Sequence, residues 1–143
     1  MSHSLINQKD RIFVVGSGGM AGGAISRALN RSGFSNQLTT NRKDLDLRDS
    51  EAVQQWFSKH RPDVVVLAAA KVGGIHANTK YPADFLLENL KIQNNVIENA
   101  WLSGVHRLLF LGSSCIYPKF AKQPITEEAL LSGSLESTNE WYA

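Results

Sequence analysis

The sequence predicts an α/β fold built on a parallel sheet, and three observations carry that expectation. Short apolar runs, Ile12-Phe13-Val14-Val15, residues 63–70 and Leu108-Leu109-Phe110-Leu111, alternate with longer stretches of helical periodicity, the pattern of βαβ units. The middle run, Val64-Val65-Val66-Leu67-Ala68-Ala69-Ala70, is apolar without alternation, as in strands covered on both faces. The first run breaks into glycines and resumes as a helical pattern. Together they describe a Rossmann-like doubly wound parallel sheet.

Gly16, Gly19 and Gly22 have the spacing G-x-x-G-x-x-G between that first strand and a helix whose apolar stripe is Met20, Ala21, Ala24, Ile25, Ala28 and Leu29, ending at Gly33. In a βαβ unit the first glycine turns the chain off the strand, the second lets backbone approach a pyrophosphate, and the third lets helix pack closely on strand. The helix N-terminus then offers free N–H groups and a positive dipole end to phosphates. Gly16, Gly19, Met20 and Gly22 are therefore candidate cofactor-binding residues. A flexible turn is the alternative for the glycines alone.

A short second strand is expected at Gln37-Leu38-Thr39-Thr40, followed by the polar turn Asn41-Arg42-Lys43-Asp44. At the end of this strand in dinucleotide folds, an acidic residue selects a free ribose 2′-hydroxyl, while a basic one accommodates a 2′-phosphate. Arg42 and Lys43 thus favour NADP over NAD, with a solvated surface turn as the alternative. Asp49 and Ser50 are N-cap candidates for a helix burying Val53, Trp56, Phe57 and His60, which Pro62 ends. His60 reads as a helix-end residue near the C-terminal dipole rather than a ligand.

The 63–70 strand, with Ala69 near its carboxyl end as a further cofactor-binding candidate, opens into Lys71-Val72-Gly73-Gly74-Ile75. Small residues there leave room for a ligand at the crevice of a doubly wound sheet, although an ordinary loop has the same composition. Pro82 sits where a first helical turn accepts proline. The long helix that follows has Phe85, Leu86, Asn89, Leu90, Gln93, Val96, Ile97, Ala100 and Trp101 on one face, and Ser103-Gly104 stop it. Asn89 and Gln93 interrupt the stripe, as buried hydrogen-bonders or helix-pair residues do. The helix over 82–101 could equally meet its copy in a homodimer.

A fourth strand over 106–111 ends in Gly112-Ser113-Ser114-Cys115-Ile116-Tyr117-Pro118, at the sheet edge that also carries the glycine turn and the 71–74 loop. Ser113 or Ser114 can hydrogen-bond a substrate oxygen, and Cys115 can move a proton if activated. A serine turn and a buried small hydrophobe are the plainer alternatives. Thr126 to Leu131 form at most a short helix, and Thr138 or Asn139 is placed to cap another.

A length of 143 residues bounds the chain to one domain, 1–143, able to bury a core. Fifteen basic and thirteen acidic residues are mixed along it for a net charge of +2, so neither nucleic acid nor a membrane surface is an expected partner, and no metal site is expected. The single cysteine excludes an internal disulfide and points to a reducing, cytoplasmic home. The N-terminal ten residues lack the apolar core of a signal peptide.

The glycine turn, Ala68-Ala69-Ala70-Lys71-Val72-Gly73-Gly74, Tyr81-Pro82-Ala83-Asp84-Phe85, Leu109-Phe110-Leu111-Gly112-Ser113-Ser114-Cys115-Ile116-Tyr117-Pro118-Lys119 and Thr138-Asn139-Glu140 together closely resemble the GDP-L-fucose synthases, a branch of the extended short-chain dehydrogenases/reductases. The glycine turn is common to that superfamily; the K-V-G-G and S-S-C-I-Y-P segments are specific to the branch. The resemblance implies an NADPH-dependent 3,5-epimerase/4-ketoreductase acting on a nucleotide sugar, GDP-4-keto-6-deoxy-D-mannose. It implies that Ser113 holds the 4-keto oxygen, Tyr142 supplies a proton to it as hydride arrives, and Cys115 is an acid/base in epimerisation. Gly16, Gly19 and Gly22 would line the pyrophosphate and Arg42 would meet the 2′-phosphate. A related sugar-nucleotide epimerase or dehydratase is the sibling reading.

Three departures accompany it. The family's lysine four positions after the tyrosine would fall at position 146, and its histidine partner and substrate domain also lie past Ala143. Gly18 stands where some members carry arginine, and Trp141 where many have proline. The expected sheet is thus incomplete at the C-terminus. Leu108 to Leu111 should be an exposed apolar edge, residues 138–143 frayed with Tyr142 unplaced, and the isolated chain a truncated, inactive dinucleotide-binding fragment.

Overall fold

The structure is a computed structural model that describes residues 5–143, so the reading of residues 1–4 as part of a terminus without a leader lies outside the described residues. In chain order the elements are β1 (Ile12–Val15), α1 (Met20–Arg31), β2 (Gln37–Leu38), α2 (Ser50–His60), β3 (Val64–Leu67), α3 (Ile75–Lys80), α4 (Pro82–Leu102) and β4 (Arg107–Phe110), with 3-10 turns at Ser114–Ile116 and Glu127–Ala129. The strands form one parallel sheet in the order β2-β1-β3-β4. Ile12 lies opposite Val64 and Val15 opposite Leu67; Val64 in turn lies opposite Arg107 and Leu67 opposite Phe110.

That order puts β1 and β3 inside the sheet, where all eight of their residues are buried. Successive side chains point to opposite faces of a strand. Phe13, Val15, Val65 and Leu67 therefore share one face, where Val53 and Phe57 of α2 and Val96 and Ala100 of α4 pack on them. Ile12, Val14, Val64 and Val66 share the other, against Ile25 and Leu29 of α1 and Phe34. Helices on both faces make the sheet doubly wound. β2 and β4 are the outer strands, and at β4 Leu108, Leu109, Phe110 and the following Leu111 are exposed as expected of an edge.

Local signals act where the sequence places them. Asp49 caps α2 by accepting the Ala52 N–H at 3.0 Å, and Arg61, in the left-handed region at φ 44°, ends that helix before Pro62. Trp56 stacks on Phe13 and on His60, with centroids 3.8 and 4.4 Å away, so His60 is a packed helix-end ring. An Arg11–Asp63 pair joins the starts of β1 and β3: the Arg11 backbone N–H and Nε both donate to Asp63 Oδ2, at 2.8 and 3.2 Å.

Several expectations are corrected. On α1 only Ile25 and Leu29 pack on the sheet, against Ile12 and Val14 of β1 and Val64 and Val66 of β3; Met20, Ala21, Ala24 and Ala28 are exposed, because a single helix laid on two short strands covers a narrow stripe. β2 ends at Leu38 rather than Thr40, since Asn41 Oδ1 takes up the N–H groups of Lys43 (2.8 Å) and Asp44 (3.2 Å) and turns the chain. The face assigned to α4 is too wide. Phe85, Val96 and Ala100 are buried, whereas Leu86, Leu90, Ile97 and Trp101 form an exposed apolar stripe.

The chain divides into two compact units, one of the residues up to Ala70 with Lys91–Leu111, the other of Lys71–Leu90 with Gly112–Ala143. The first holds the sheet. The second is built from α3, which the sequence did not signal, the first turns of α4 and the C-terminal residues. Its anchors are the buried Phe85, an ion pair between Lys119 and Glu136 at 2.8 Å, and Lys119 N–H donating to the Ser134 carbonyl at 3.0 Å.

Candidate active site

In the first unit the chain leaves β1 at Gly16, whose φ of +87° disfavours any side chain. A Cβ there would stand 2.9 Å from Ala69 Cα and N, so the turn presses bare backbone against the end of β3. Gly19 donates its N–H to the Gly16 carbonyl at 2.9 Å and is the N-cap of α1. Gly22 lies one turn into the helix, where a Cβ would fall 2.2 Å from the Gly16 carbonyl oxygen. The three glycines seat α1 directly on the turn.

This leaves the α1 N-terminus with no capping side chain and no acidic residue in its first turn. An uncapped positive helix end favours an anion such as a phosphate group. Met20, at its head, is 93% exposed, and Ala69 is partly buried against the core. Arg42 sits in the Asn41 turn after β2 with its side chain at the surface, beside Lys43. Its positive field reaches Asp46, whose carboxyl is held well below the usual carboxylate range chiefly by hydrogen bonds from the Arg48 side chain and backbone.

In the second unit Ser113 caps the 3-10 turn: its Oγ accepts the Cys115 N–H at 3.2 Å. Accepting through oxygen leaves the hydroxyl proton available to a ligand acceptor. Cys115 is a partly buried free thiol, and Asn139 Nδ2 donates to its Sγ at 3.1 Å. Tyr142, expected to be unplaced, instead lies in a turn in which its N–H donates to the Asn139 carbonyl at 3.0 Å. Ser113 bonds Cys115 directly, and Cys115 and the Tyr142 backbone are joined through Asn139, which the sequence offered only as a cap for a further helix that does not form. No local pattern signals a side chain that reaches a sulfur 24 positions away.

The 71–74 loop of the same unit is also held by side chains. Asn89, half-buried, accepts the Lys71 N–H at 2.7 Å and donates to the Lys71 carbonyl at 3.0 Å, the hydrogen-bonding one of the two readings of its place on the stripe. Lys71 Nζ pairs with Glu88 and lies 5.4 Å from the centre of the Phe85 ring. Asn78 donates to the carbonyls of Gly73 and Gly74 at 2.9 and 3.1 Å. Asn78 and Glu88 were not foreseen. Among the described residues no group of three or more His, Cys, Asp or Glu is placed to hold a metal, and no helix is long and apolar enough to cross a membrane.

A model of the NAD dependent epimerase/dehydratase family matches residues 12–143. The chain is 56% identical over 140 residues to GDP-L-fucose synthase 1 of Arabidopsis thaliana, covering 98% of this chain and 43% of that protein. Among solved structures it resembles MlghC, a GDP-mannoheptose C4 reductase from Campylobacter jejuni with NADP bound, at 39% identity and a TM-score of 0.91, over 96% of this chain and 43% of that one. It also resembles a GDP-L-fucose synthetase from Naegleria fowleri bound to NADP, at 32% identity and a TM-score of 0.83, over 96% and 41%. The chain therefore spans about two fifths of the length of these relatives.

Proposed function

This chain belongs to the NAD dependent epimerase/dehydratase family, and from that premise we propose that it forms the NADPH-binding domain, residues 1–143, of a GDP-L-fucose synthase-type enzyme. The substrate class is a GDP-linked 4-keto sugar, and the reaction is epimerisation followed by ketone reduction. The single observation that carries the reading is the glycine turn, where an uncapped helix end is seated on bare backbone so closely that a Cβ at Gly16 would collide with Ala69 and one at Gly22 with the Gly16 carbonyl.

NADPH, when bound, supplies the hydride. Gly16, Gly19, Met20 and Gly22 would hold its pyrophosphate, Ala69 would border it, and Arg42 would pair with the 2′-phosphate. Ser113, its proton free to donate, would hold the keto oxygen, and the Tyr142 hydroxyl would give that oxygen a proton as charge develops on it. Cys115 would move protons at the epimerised carbons. The exposed stripe Leu86, Leu90, Ile97 and Trp101 supports a homodimer through the helix over 82–101. The unpaired cysteine supports a cytoplasmic home.

Fluorescence titration of the purified chain with NADPH and NADH tests the cofactor assignment. NADPH should bind about tenfold tighter or more, since a guanidinium–phosphate pair is a strong charge-assisted contact, and Arg42→Ala should erase the preference. Equal affinities in both proteins would sink it.

A further inference from the structure

We propose that Asn139 is a positioning residue that holds the Cys115 sulfur as a hydrogen-bond acceptor and ties it to the Tyr142 backbone. The inference rests on the acid/base roles read for those two residues. Asn139 touches both at once: its side-chain amide donates to Cys115 Sγ at 3.1 Å, and its carbonyl accepts the N–H groups of Tyr142 at 3.0 Å and Ala143 at 3.1 Å.

The residue is anchored independently of the cysteine. Its own N–H donates to the Glu136 carbonyl at 3.1 Å, and Glu136 Oε1 accepts the Thr138 N–H at 3.3 Å. Glu136 Oε2 is gripped by Lys119 at 2.8 Å, and the Thr138 carbonyl accepts from Thr79 Oγ1 at 3.5 Å. Asn139 therefore meets the sulfur from a fixed platform.

The direction of the bond gives it a chemical purpose. With Nδ2 on the sulfur, Asn139 Oδ1 is buried and accepts from no group among the described residues. A neutral thiol is a weak acceptor and a thiolate a strong one. The contact thus strengthens when Cys115 gives up its proton, which is what an acid/base role requires. Ser113, through the Cys115 N–H, fixes the same residue from its backbone side.

Cys115 is the only cysteine of the chain, so alkylation by iodoacetamide reports on it alone. The rate is measured across pH for the unmodified chain, for Asn139→Asp, which keeps shape and backbone bonds but replaces the donor by an acceptor, and for Asn139→Ser. Loss of the donor that holds the sulfur should slow alkylation in both variants. At neutral pH, Asn139→Asp should react about tenfold more slowly and Asn139→Ser about threefold more slowly. A urea unfolding midpoint for each protein identifies a variant that fails to fold, in which case the other decides. A profile unmoved in the folded variants, or rates that rise equally in both because the cysteine has merely been uncovered, would overturn the proposal. Failure of NADPH to bind the unmodified chain would instead strike the functional reading and leave this profile as it is.

Discussion

The glycine turn and the 113–142 segment both hold backbone still, and they do so by opposite means. At the turn no side chain takes part: carbonyl and Cα atoms stand where a Cβ at Gly16 would come within 2.9 Å and one at Gly22 within 2.2 Å. In the other segment the fixing groups are side chains, Ser113 on the Cys115 N–H and Asn139 on its sulfur, as Asn89 is on Lys71 in the same unit. At Gly16 and Gly22 the first arrangement tolerates no added atom. The second depends on each donor staying in place.

The largest effect should come from breaking the steric arrangement. Gly22→Ala puts a methyl group into a backbone carbonyl that cannot withdraw without unseating α1 from β1. A loss upward of about 3 kcal/mol is expected, beyond usual overpacking because the obstacle is main chain. Urea unfolding should show a lower midpoint at an unchanged slope. A midpoint equal to that of the unmodified chain would mean the close approach is not a constraint.

The polar arrangement should yield more gently and more locally. Asn89→Leu keeps the branched shape but strands the Lys71 N–H and carbonyl, at a cost of about 2 kcal/mol. Hydrogen exchange should lose protection at Lys71 while Val64 to Leu67, paired with strands on both sides, keep theirs. Equal loss at both places would mean that the two units open as one and that the contrast between them is false.

The same contrast explains what could be read in advance. A steric requirement leaves a residue-type signature, because only glycine satisfies it, so Gly16 and Gly22 were legible, as were the fully buried β1 and β3 from their unbroken apolar runs. Pro82 and Asp49 were legible because they act on their own helix turns. Asn139 and Glu88 reach partners 24 and 17 positions away, Asn78 turns back only onto Gly73 and Gly74, and nothing in a neighbouring residue distinguishes a clamping asparagine from a solvated one. Asn89 was foreseen because it interrupts an apolar stripe. That same stripe misled over Leu86, Leu90, Ile97 and Trp101, since periodicity marks an apolar face without saying what covers it.

A smaller effect tests the surface pair that joins the strand starts. Hydrogen bonds from the Arg11 side chain, then from its backbone N–H, hold the Asp63 carboxyl below its ordinary value. A carboxyl lowered in the folded state contributes stability above its unfolded value and loses it as pH falls through the folded one. Asp63→Asn should therefore cost most near neutrality, by under about 1 kcal/mol since both side chains are partly exposed, and the two proteins should converge in strong acid. Urea midpoints across pH that run parallel, or that diverge toward acid, would refute the assignment.

The smallest effect isolates the cause at the turn itself. Gly18 lies between Gly16 and Gly22, yet a Cβ there meets nothing within 4 Å, and its backbone is outside the left-handed region. Gly18→Ala should leave the urea midpoint within about 0.5 kcal/mol of the unmodified chain. The open space also admits a longer side chain, and Gly18→Arg, placing a guanidinium on the turn in addition to Arg42 elsewhere, should raise affinity for NADPH over NADH without changing stability. If Gly18→Ala instead weakened the fold as Gly22→Ala does, the turn would need glycine for its backbone freedom at every position. Its rigidity would then not come from the two close approaches at Gly16 and Gly22.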